Sequence, residues 1–309
     1  MAVGRIPLVV IAGPTASGKT ALAVELCRRF DGEVISADSM QVYDGLRVGT
    51  ARPTEDEMAG IPHHLMGFLS PNTSYSVARY ATAAHAVIRE VHHRGKLPIL
   101  CGGTGLYIQA VVDNLQYEEQ PADRAVREAL NCRAEQEGTE VLLAELAAVD
   151  PTTAARLHPN DRGRIVRALE IFQTTGRTIT QQNEESRRQP SPYRPCGIRL
   201  DFRDRAVLYD RIDRRVTQML ERGLTEEAQW LRSQPQADTI RQAIGYKELE
   251  PYFTGECSLE AAADAIRQGS RRYAKRQLSW FRHQAWMTPL YVDDGDVLQQ
   301  AERLIQEIV

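Results

Sequence analysis

Eight residues, "GPTASGKT" (Gly13, Pro14, Thr15, Ala16, Ser17, Gly18, Lys19 and Thr20), satisfy G-x-x-x-x-G-K-[ST] at every fixed position. The glycines let the backbone turn its N–H groups inward around a phosphate. The lysine adds a point charge, and the final hydroxyl can reach a phosphate-bound Mg²⁺. Two further polar residues close apolar runs that read as strands: Asp38 in "GEVISADS" and Thr104 after "LPILCGG". Asp38 could take a proton, orient a substrate, hold magnesium, or simply form the turn that "DS" favours. Nucleotide-hydrolysing enzymes with this loop normally keep a second acid at the end of a later strand for Mg²⁺. Here that strand ends "ILCGG", without a carboxylate. The loop implies a phosphate-bearing ligand without saying which.

These residues need a frame. "IPLVVIA" (6–12) reads as a buried parallel strand, and "ALAVELCRRF" sets Ala23, Leu26, Cys27 and Phe30 on one helical face. Strand, Gly-rich turn and helix in that order aim a helix N-terminus at an anion. Alternation of apolar runs with helical stretches such as "SYSVARYATAAHAVIREVHHRG" predicts an α/β protein: a P-loop parallel sheet flanked by helices, with ligands at the C-terminal ends of the strands. From about residue 113 to 195 the pattern changes to helices near 122–136, 139–149 and 161–175, followed by a polar, Pro-containing exit, "QQNEESRRQPSPYRP". The expected division is a discontinuous catalytic core, 1–112 and 196–309, carrying an all-helical insertion domain, 113–195. "GIRLDF" resumes the strand pattern. A helix then follows with Asp204 as N-cap, Leu208, Ile212, Val216 and Leu220 as apolar stripe and Gly223 as stop, and a last long helix opens near Ser258.

At 309 residues and 42% hydrophobic, the chain can bury a full core and form two lobes. The apolar run at 6–12 is too short for a signal-peptide core and lacks a cleavage site, so a cytoplasmic protein without a membrane segment is expected. Five scattered cysteines with no C-x-x-C indicate neither a disulfide framework nor a zinc ribbon. The His pairs at 63–64 and 92–93 lack the i, i+4 spacing of a zinc-binding helix. Net charge is only −3, so its local distribution matters more than its sum. Between Arg267 and Trp286 stand Arg267, Arg271, Arg272, Lys275, Arg276 and Arg282 with no acid, interleaved with Tyr273, Trp280, Phe281 and Trp286. Arg162, Arg164 and Arg167 could extend this track. Basic groups among aromatics suit an RNA backbone and unstacked bases; the alternative is a solvated helix face whose aromatics point to the core. Segregation of charge in a net acidic chain favours RNA.

"GPTASGKT", "ISADSMQVYDGLRVGTARPT", "IPHHLMGFLSP", "GGTGLYI", "HPNDRGRIVRALEIF", "RIDRRVTQMLERGL", "RQAIGYKEL" and "RRYAKRQLSWFR" together resemble the bacterial tRNA dimethylallyltransferases, in order, from about Ile6 to Phe281. The resemblance implies transfer of a dimethylallyl group from its diphosphate to N6 of the adenine 3′-adjacent to the anticodon, position 37, with Mg²⁺ and without ATP. The loop, Gly13 to Thr20, would then bind a prenyl diphosphate, with Thr20 contacting magnesium. Asp38 matches the family's general base and Thr104 a hydroxyl near the reacting centre. Arg215 matches an arginine gripping the departing pyrophosphate, with Arg214 beside it as the alternative. Asp38, Ser39, Met40, Gln41, Thr104, Arg127, the segment Arg162, Gly163, Arg164 and Ile165, and the run Arg241, Gln242, Ala243, Ile244, Gly245 and Tyr246 fall where the family touches tRNA. Arg271 and Lys275 of the basic stripe join them. Arg52 and Ser270 depart from the usual lysine and threonine but keep charge and hydroxyl. A monomer binding the anticodon stem-loop is expected. Two other classes share the loop: an adenylate isopentenyltransferase acting on free AMP, ADP or ATP, against which the insertion and basic stripe argue, and a small-molecule kinase, which fits "ILCGG" poorly.

Overall fold

The computed structural model describes residues 5–117, 123–187 and 189–309. The first residue of the helix expected near 122–136, and Arg188 in the polar exit, lie outside them. In chain order the elements are β1 (Ile6–Ala12), α1 (Lys19–Phe30), β2 (Gly32–Ala37), α2 (Glu55–Met58), β3 (His63–His64), α3 (Val77–His93), β4 (Leu97–Gly102) and α4 (Gly105–Val112). Five helices follow: α5 (Arg124–Gln136), α6 (Thr139–Val149), α7 (Pro151–Ala154), α8 (Arg162–Thr175) and α9 (Ile179–Ser186). The chain then continues through β5 (Tyr193–Asp201), α10 (Arg205–Glu221), α11 (Leu224–Arg232), α12 (Asp238–Arg241), α13 (Glu250–Phe253), α14 (Leu259–Arg282), β6 (Met287–Tyr291) and α15 (Val297–Gln306). It divides into two compact units, one of Met1–Val112 with Ser191–Val309 and the other of Asp113–Pro190.

In the first unit the described strands form one six-stranded sheet, all parallel, in the order β3-β2-β4-β1-β5-β6. Period-2 alternation sends Leu8, Val10 and Ala12 to one face, where Tyr80, Ala84 and Ile88 of α3 and Ile108 and Val111 of α4 cover them. Val9 and Ile11 go to the other face, under Leu22 and Leu26 of α1 and Ala301 and Ile305 of α15. Both faces being covered explains why the central strands are near-continuous apolar runs rather than alternating ones. Full burial of each Val, Leu or Ile side chain here stabilises the fold by about 1.5–3 kcal/mol. A third cluster packs Val42, Tyr43 and Leu46, in the loop after β2, against Val216 of α10, Leu224 and Ala228 of α11 and Ile266 of α14. Among the described residues no helix is long and apolar enough to cross a membrane.

The second unit holds no strand among its described residues. Leu130, Leu142, Leu146, Ile165 and Leu169 build its own core. Two details differ from the sequence reading. The strand after this unit begins at Tyr193, not at Gly197, because β6 pairs only Gly197–Asp201 and Tyr193–Cys196 have β1 as their sole neighbour. Pro195 can therefore lack an N–H without breaking a two-sided ladder. The polar exit also contains α9. Its residues carry little apolar pattern, but the Thr178 hydroxyl accepts from the Gln181 N–H while the Gln181 side chain accepts from the Thr178 N–H, a reciprocal cap that starts the helix.

Candidate active site

The phosphate loop connects β1 to α1, whose first N–H groups have no intrahelical acceptor and face the loop. Gly13 has φ +153, and a Cβ there would lie 2.9 Å from the Leu200 carbonyl oxygen. Gly18, the residue before α1, is left-handed at φ +89, which favours glycine. The Ser17 hydroxyl is buried with no hydrogen-bond partner among the described residues. Lys19 Nζ donates to the Pro14 carbonyl at 2.6 Å. Burial pulls its ammonium down to about 8, with Arg215 pulling the same way and Cys101 and Asp38 opposing. Two contacts that the sequence reading missed hold the loop from outside: Arg211 Nε donates to the Ala16 carbonyl at 2.8 Å, and Gln277 Oε1 accepts from the Thr15 N–H at 2.9 Å. The Thr15 N–H is thus committed, and the Ser17 N–H makes a long bond to the Pro14 carbonyl at 3.4 Å.

Asp38 leaves the C-terminal end of β2. Its Oδ1 accepts from the Met40 N–H at 2.9 Å and the Gln41 N–H at 3.4 Å, while Oδ2 accepts no hydrogen bond among the described residues. The neighbouring strand end is pinned to it. Thr104 donates its N–H to the Ala37 carbonyl at 3.0 Å, and its Oγ1 accepts from the Ser39 N–H at 3.0 Å. Gly102 permits this approach, since a Cβ there would fall 2.2 Å from the Ala37 oxygen. Asp38's charge acts on Lys19, on Arg215 and on Tyr273. Burial raises the Tyr273 phenol and lowers the Arg215 guanidinium, and in both cases Asp38 is the largest charge influence. Arg214, by contrast, is 67% exposed and ion-paired with Asp210. Arg215, not Arg214, belongs to the electrostatic group of Asp38 and Lys19.

The residues expected to meet RNA are distributed unevenly. Arg241, Gln242, Arg164 and Lys275 are exposed, and Ser39, Met40 and Gln41 are partly so. Gly163 opens on free space, and Gly245 turns the chain at φ +100. Ile244 packs against the loop-supporting cluster. Arg127 makes a bidentate pair with Glu170, which is 1% exposed and also holds Arg167. Arg162 donates to the Asn131 carbonyl and pairs with Glu135. The Ile165 side chain lies in the helical core of the second unit, and those of Ala243 and Tyr246 in the core that supports the loop after β2, which leaves only the backbone of these three positions to meet a ligand. The Tyr246 hydroxyl donates to Glu227, whose carboxylate gathers the N–H groups of Arg47, Val48 and Gly49.

The stripe on α14 is also less free than its sequence implies. Arg267 pairs with Glu260 and Asp264, Arg271 with Asp213, and Arg282 with Asp201. Phe281 is core, and Trp286 packs against it from a partly buried position. The exposed cations without an ion pair among the described residues are Arg272, Lys275 and Arg276, with Trp280 the exposed ring among them.

A strand-end acid does exist, on β5. Asp201 is 1% exposed and accepts from Arg282 Nε and Nη2 at 3.0 and 2.8 Å and from the Phe202 N–H at 2.8 Å. It is occupied as a structural anion. No group of three or more His, Cys, Asp and Glu able to hold a metal occurs among the described residues. His64 and Arg94 are paired with Glu33 instead. Hard oxygens at the loop, the Thr20 hydroxyl and the unpaired Oδ2 of Asp38, fit Mg²⁺, which typically takes one or two protein ligands and fills its octahedron with phosphate oxygens and water.

Fold and site together define an α/β protein of the phosphate-loop class, with a carboxylate at the end of β2, separated from the loop's strand β1 by β4. A family model described as IPP transferase matches residues 41–284. The chain belongs to the IPP transferase family. It is 43% identical over 305 residues to the tRNA dimethylallyltransferase of Caldanaerobacter subterraneus subsp. tengcongensis, covering 98% of this chain and 97% of that protein. The crystal structure of the full-length tRNA isopentenylpyrophosphate transferase from Bacillus halodurans matches with a TM-score of 0.72 at 44% identity, over 98% of this chain and 96% of that one. A eukaryotic dimethylallyltransferase acting on tRNA matches with a TM-score of 0.76 at 31% identity, over 98% of this chain and 77% of that one.

Proposed function

We propose that the protein transfers the dimethylallyl group of dimethylallyl diphosphate to N6 of adenine 37, next to the anticodon, in tRNA. The observation that carries this reading is the pairing of an intact phosphate loop with Asp38. One oxygen of Asp38 fixes its turn and the other is unpartnered, whereas the strand-end acid on β5 is sequestered by Arg282.

An exocyclic adenine amine is a weak nucleophile because its lone pair is delocalised into the ring, so both ends of the reaction need help. The N–H groups from Ala16 to Thr20, the Lys19 ammonium and Arg215 would stabilise the charge that grows on the diphosphate as C1–O breaks. N6 bonds to C1, the C1–O electron pair leaves on the diphosphate, and the N6 proton passes to Asp38. Thr20 would hold magnesium together with the diphosphate, and the ion would supply a further positive charge to the leaving group. Thr104, fixed by Ser39 and Ala37, would orient the amine. The target base must leave its stack to reach the strand ends, as for other base-modifying enzymes. The exposed cations of α14 and the basic residues of the second unit would hold the anticodon stem-loop. A cytoplasmic, monomeric enzyme follows from this reading.

Purified protein offered either ATP or dimethylallyl diphosphate, with either free AMP or an anticodon stem-loop as acceptor, tests the proposal. We expect prenyl transfer to the stem-loop alone, dependent on Mg²⁺ and indifferent to ATP. Transfer to AMP would make the protein an adenylate isopentenyltransferase, and RNA-stimulated ATP hydrolysis would make it an NTPase or kinase.

A further inference from the structure

We propose that Gln277 is a positioning residue for this reaction: its carboxamide fixes the entrance of the phosphate loop to the end of β4, setting the loop's donors and Thr104 in one relative geometry. The inference rests on the prenyl-transfer reading. Gln277 lies on the apolar stripe of α14 with Ala274, Leu278 and Phe281 and is 5% exposed. A buried amide without partners is costly, and this one uses both of its ends. Oε1 accepts from the Thr15 N–H at 2.9 Å, and Nε2 donates to the Gly103 carbonyl at 3.0 Å. Gly103 is what admits it, since a Cβ there would come within 2.2 Å of Nε2.

Both anchors are one residue from groups assigned chemistry. Thr15 precedes Ala16, whose φ of +62 turns the loop inward, and Gly103 precedes Thr104. Three segments far apart in sequence therefore meet at one carboxamide, which reads a donor on the diphosphate side and an acceptor on the adenine side. A shift of the loop relative to Thr104 by about 1 Å is the kind of error that costs on the order of 10²-fold in rate.

The substitutions Gln277→Met and Gln277→Glu test this. Methionine keeps the volume and loses both hydrogen bonds. Ionised glutamate can still accept from Thr15 but sets an anion against the Gly103 oxygen, whereas protonated glutamate reproduces glutamine's acceptor and donor. We expect Gln277→Met to raise KM for dimethylallyl diphosphate and to lower single-turnover transfer by about 10–100-fold, with tRNA affinity within about twofold. Gln277→Glu should be similarly impaired at pH 8 and recover toward wild type, as a ratio at each pH, as the pH falls. A merely structural role predicts instead a loss that follows the fraction unfolded in melting curves and a ratio flat in pH; either result, or near wild-type kinetics for Gln277→Met, overturns the proposal. If Gln277→Met does not fold, the pH ratio of Gln277→Glu decides alone. Calorimetric binding of inorganic pyrophosphate separates this claim from the function it rests on. Weakened binding in the variants of a wild type inactive on tRNA would refute prenyl transfer while leaving the loop-positioning role of Gln277 standing. Unchanged binding and unchanged KM in an active enzyme would refute the latter alone.

Discussion

Asp38 does two things with one carboxylate: it closes the turn after β2 through the N–H groups of Met40 and Gln41, and it keeps its other oxygen without a hydrogen bond among the described residues. Asparagine retains the first ability, because its Oδ1 still accepts, and loses the second. Asp38→Asn should therefore fold normally, bind both substrates with nearly unchanged affinity, and lose about 10²–10⁴ in single-turnover rate. A magnesium series on this variant distinguishes roles: recovery at high Mg²⁺ would mark a metal ligand, and near wild-type transfer at saturation would remove Asp38 from the chemistry. Lys19 carries a second test. Its ammonium is held near 8 by burial when no diphosphate is bound, so it is charged below that pH and neutral above it. A diphosphate bound beside it would restore the charge. Affinity for dimethylallyl diphosphate should thus weaken above about pH 8, approaching tenfold per pH unit as binding takes up one proton. Lys19→Arg should flatten the profile, and constant wild-type affinity from pH 7 to 9.5 would mean that the amine stays charged throughout. At this scale the sequence was most informative where the chemistry is local. The loop, Asp38 and Thr104 are each recognisable from their own strand ends, whereas Arg211 and Gln277 act on loop residues 195 and 262 positions away. The one clue to Gln277 was a polar residue on an apolar helical stripe.

Helix α14 shows how far an element can depart from its own sequence. Its last four turns contain no acid, yet Asp213 of α10 and Asp201 of β5 take up Arg271 and Arg282, and the first turns of the helix itself take up Arg267. Charge segregation along a chain is not charge segregation in space. The phosphate contacts of the helix should come from Arg272, Lys275 and Arg276. Replacing Arg272 and Lys275 together by alanine should flatten the dependence of log tRNA affinity on log salt by about 1.5, since each phosphate contact contributes about 0.7–0.9. Arg271→Ala should change the slope less and the melting temperature more, because it strands Asp213. Fluorescence anisotropy over a KCl series reads both. An unchanged slope in the double variant would make the exposed face of α14 an ordinary solvated surface. Element boundaries obeyed the same logic: Ser76, Asp204 and Ser258 cap α3, α10 and α14 with their own side chains, and Asp204 and Ser258 were readable. β3, two residues long, and β6, with Pro289 in its middle, carry no periodicity and exist because the neighbouring strand offers an edge.

The molecule as a whole is one sheet-built unit interrupted by one helical unit, and the interruption has a feature that makes it separable. Asn114 Nδ2 donates to the Pro190 carbonyl at 3.1 Å, and the Gln116 N–H to the Ser186 carbonyl at 3.2 Å, so the helical unit begins and ends at one place. Its core of Leu130, Leu142, Leu146, Ile165 and Leu169 is complete within residues 113–190, and the sheet on the other side pairs β1 with β5 from Ile6↔Tyr193 onward without it. Segments with adjoining ends and self-contained cores tolerate exchange for short linkers. Replacing 114–189 with a few Gly and Ser residues should therefore leave the first unit cooperatively folded, with pyrophosphate and dimethylallyl diphosphate binding at the loop close to wild type. The same deletion removes Arg127, Arg162, Arg164 and Arg167, and it should weaken tRNA binding at physiological salt by at least an order of magnitude, because each lost phosphate contact removes counterion release. Circular dichroism melting, donor calorimetry and tRNA anisotropy on the one protein separate the outcomes. Loss of donor binding with loss of fold would show that the sheet unit depends on the helical one, and unimpaired transfer to full-length tRNA would show that the arginines of the second unit serve its own ion pairs rather than RNA.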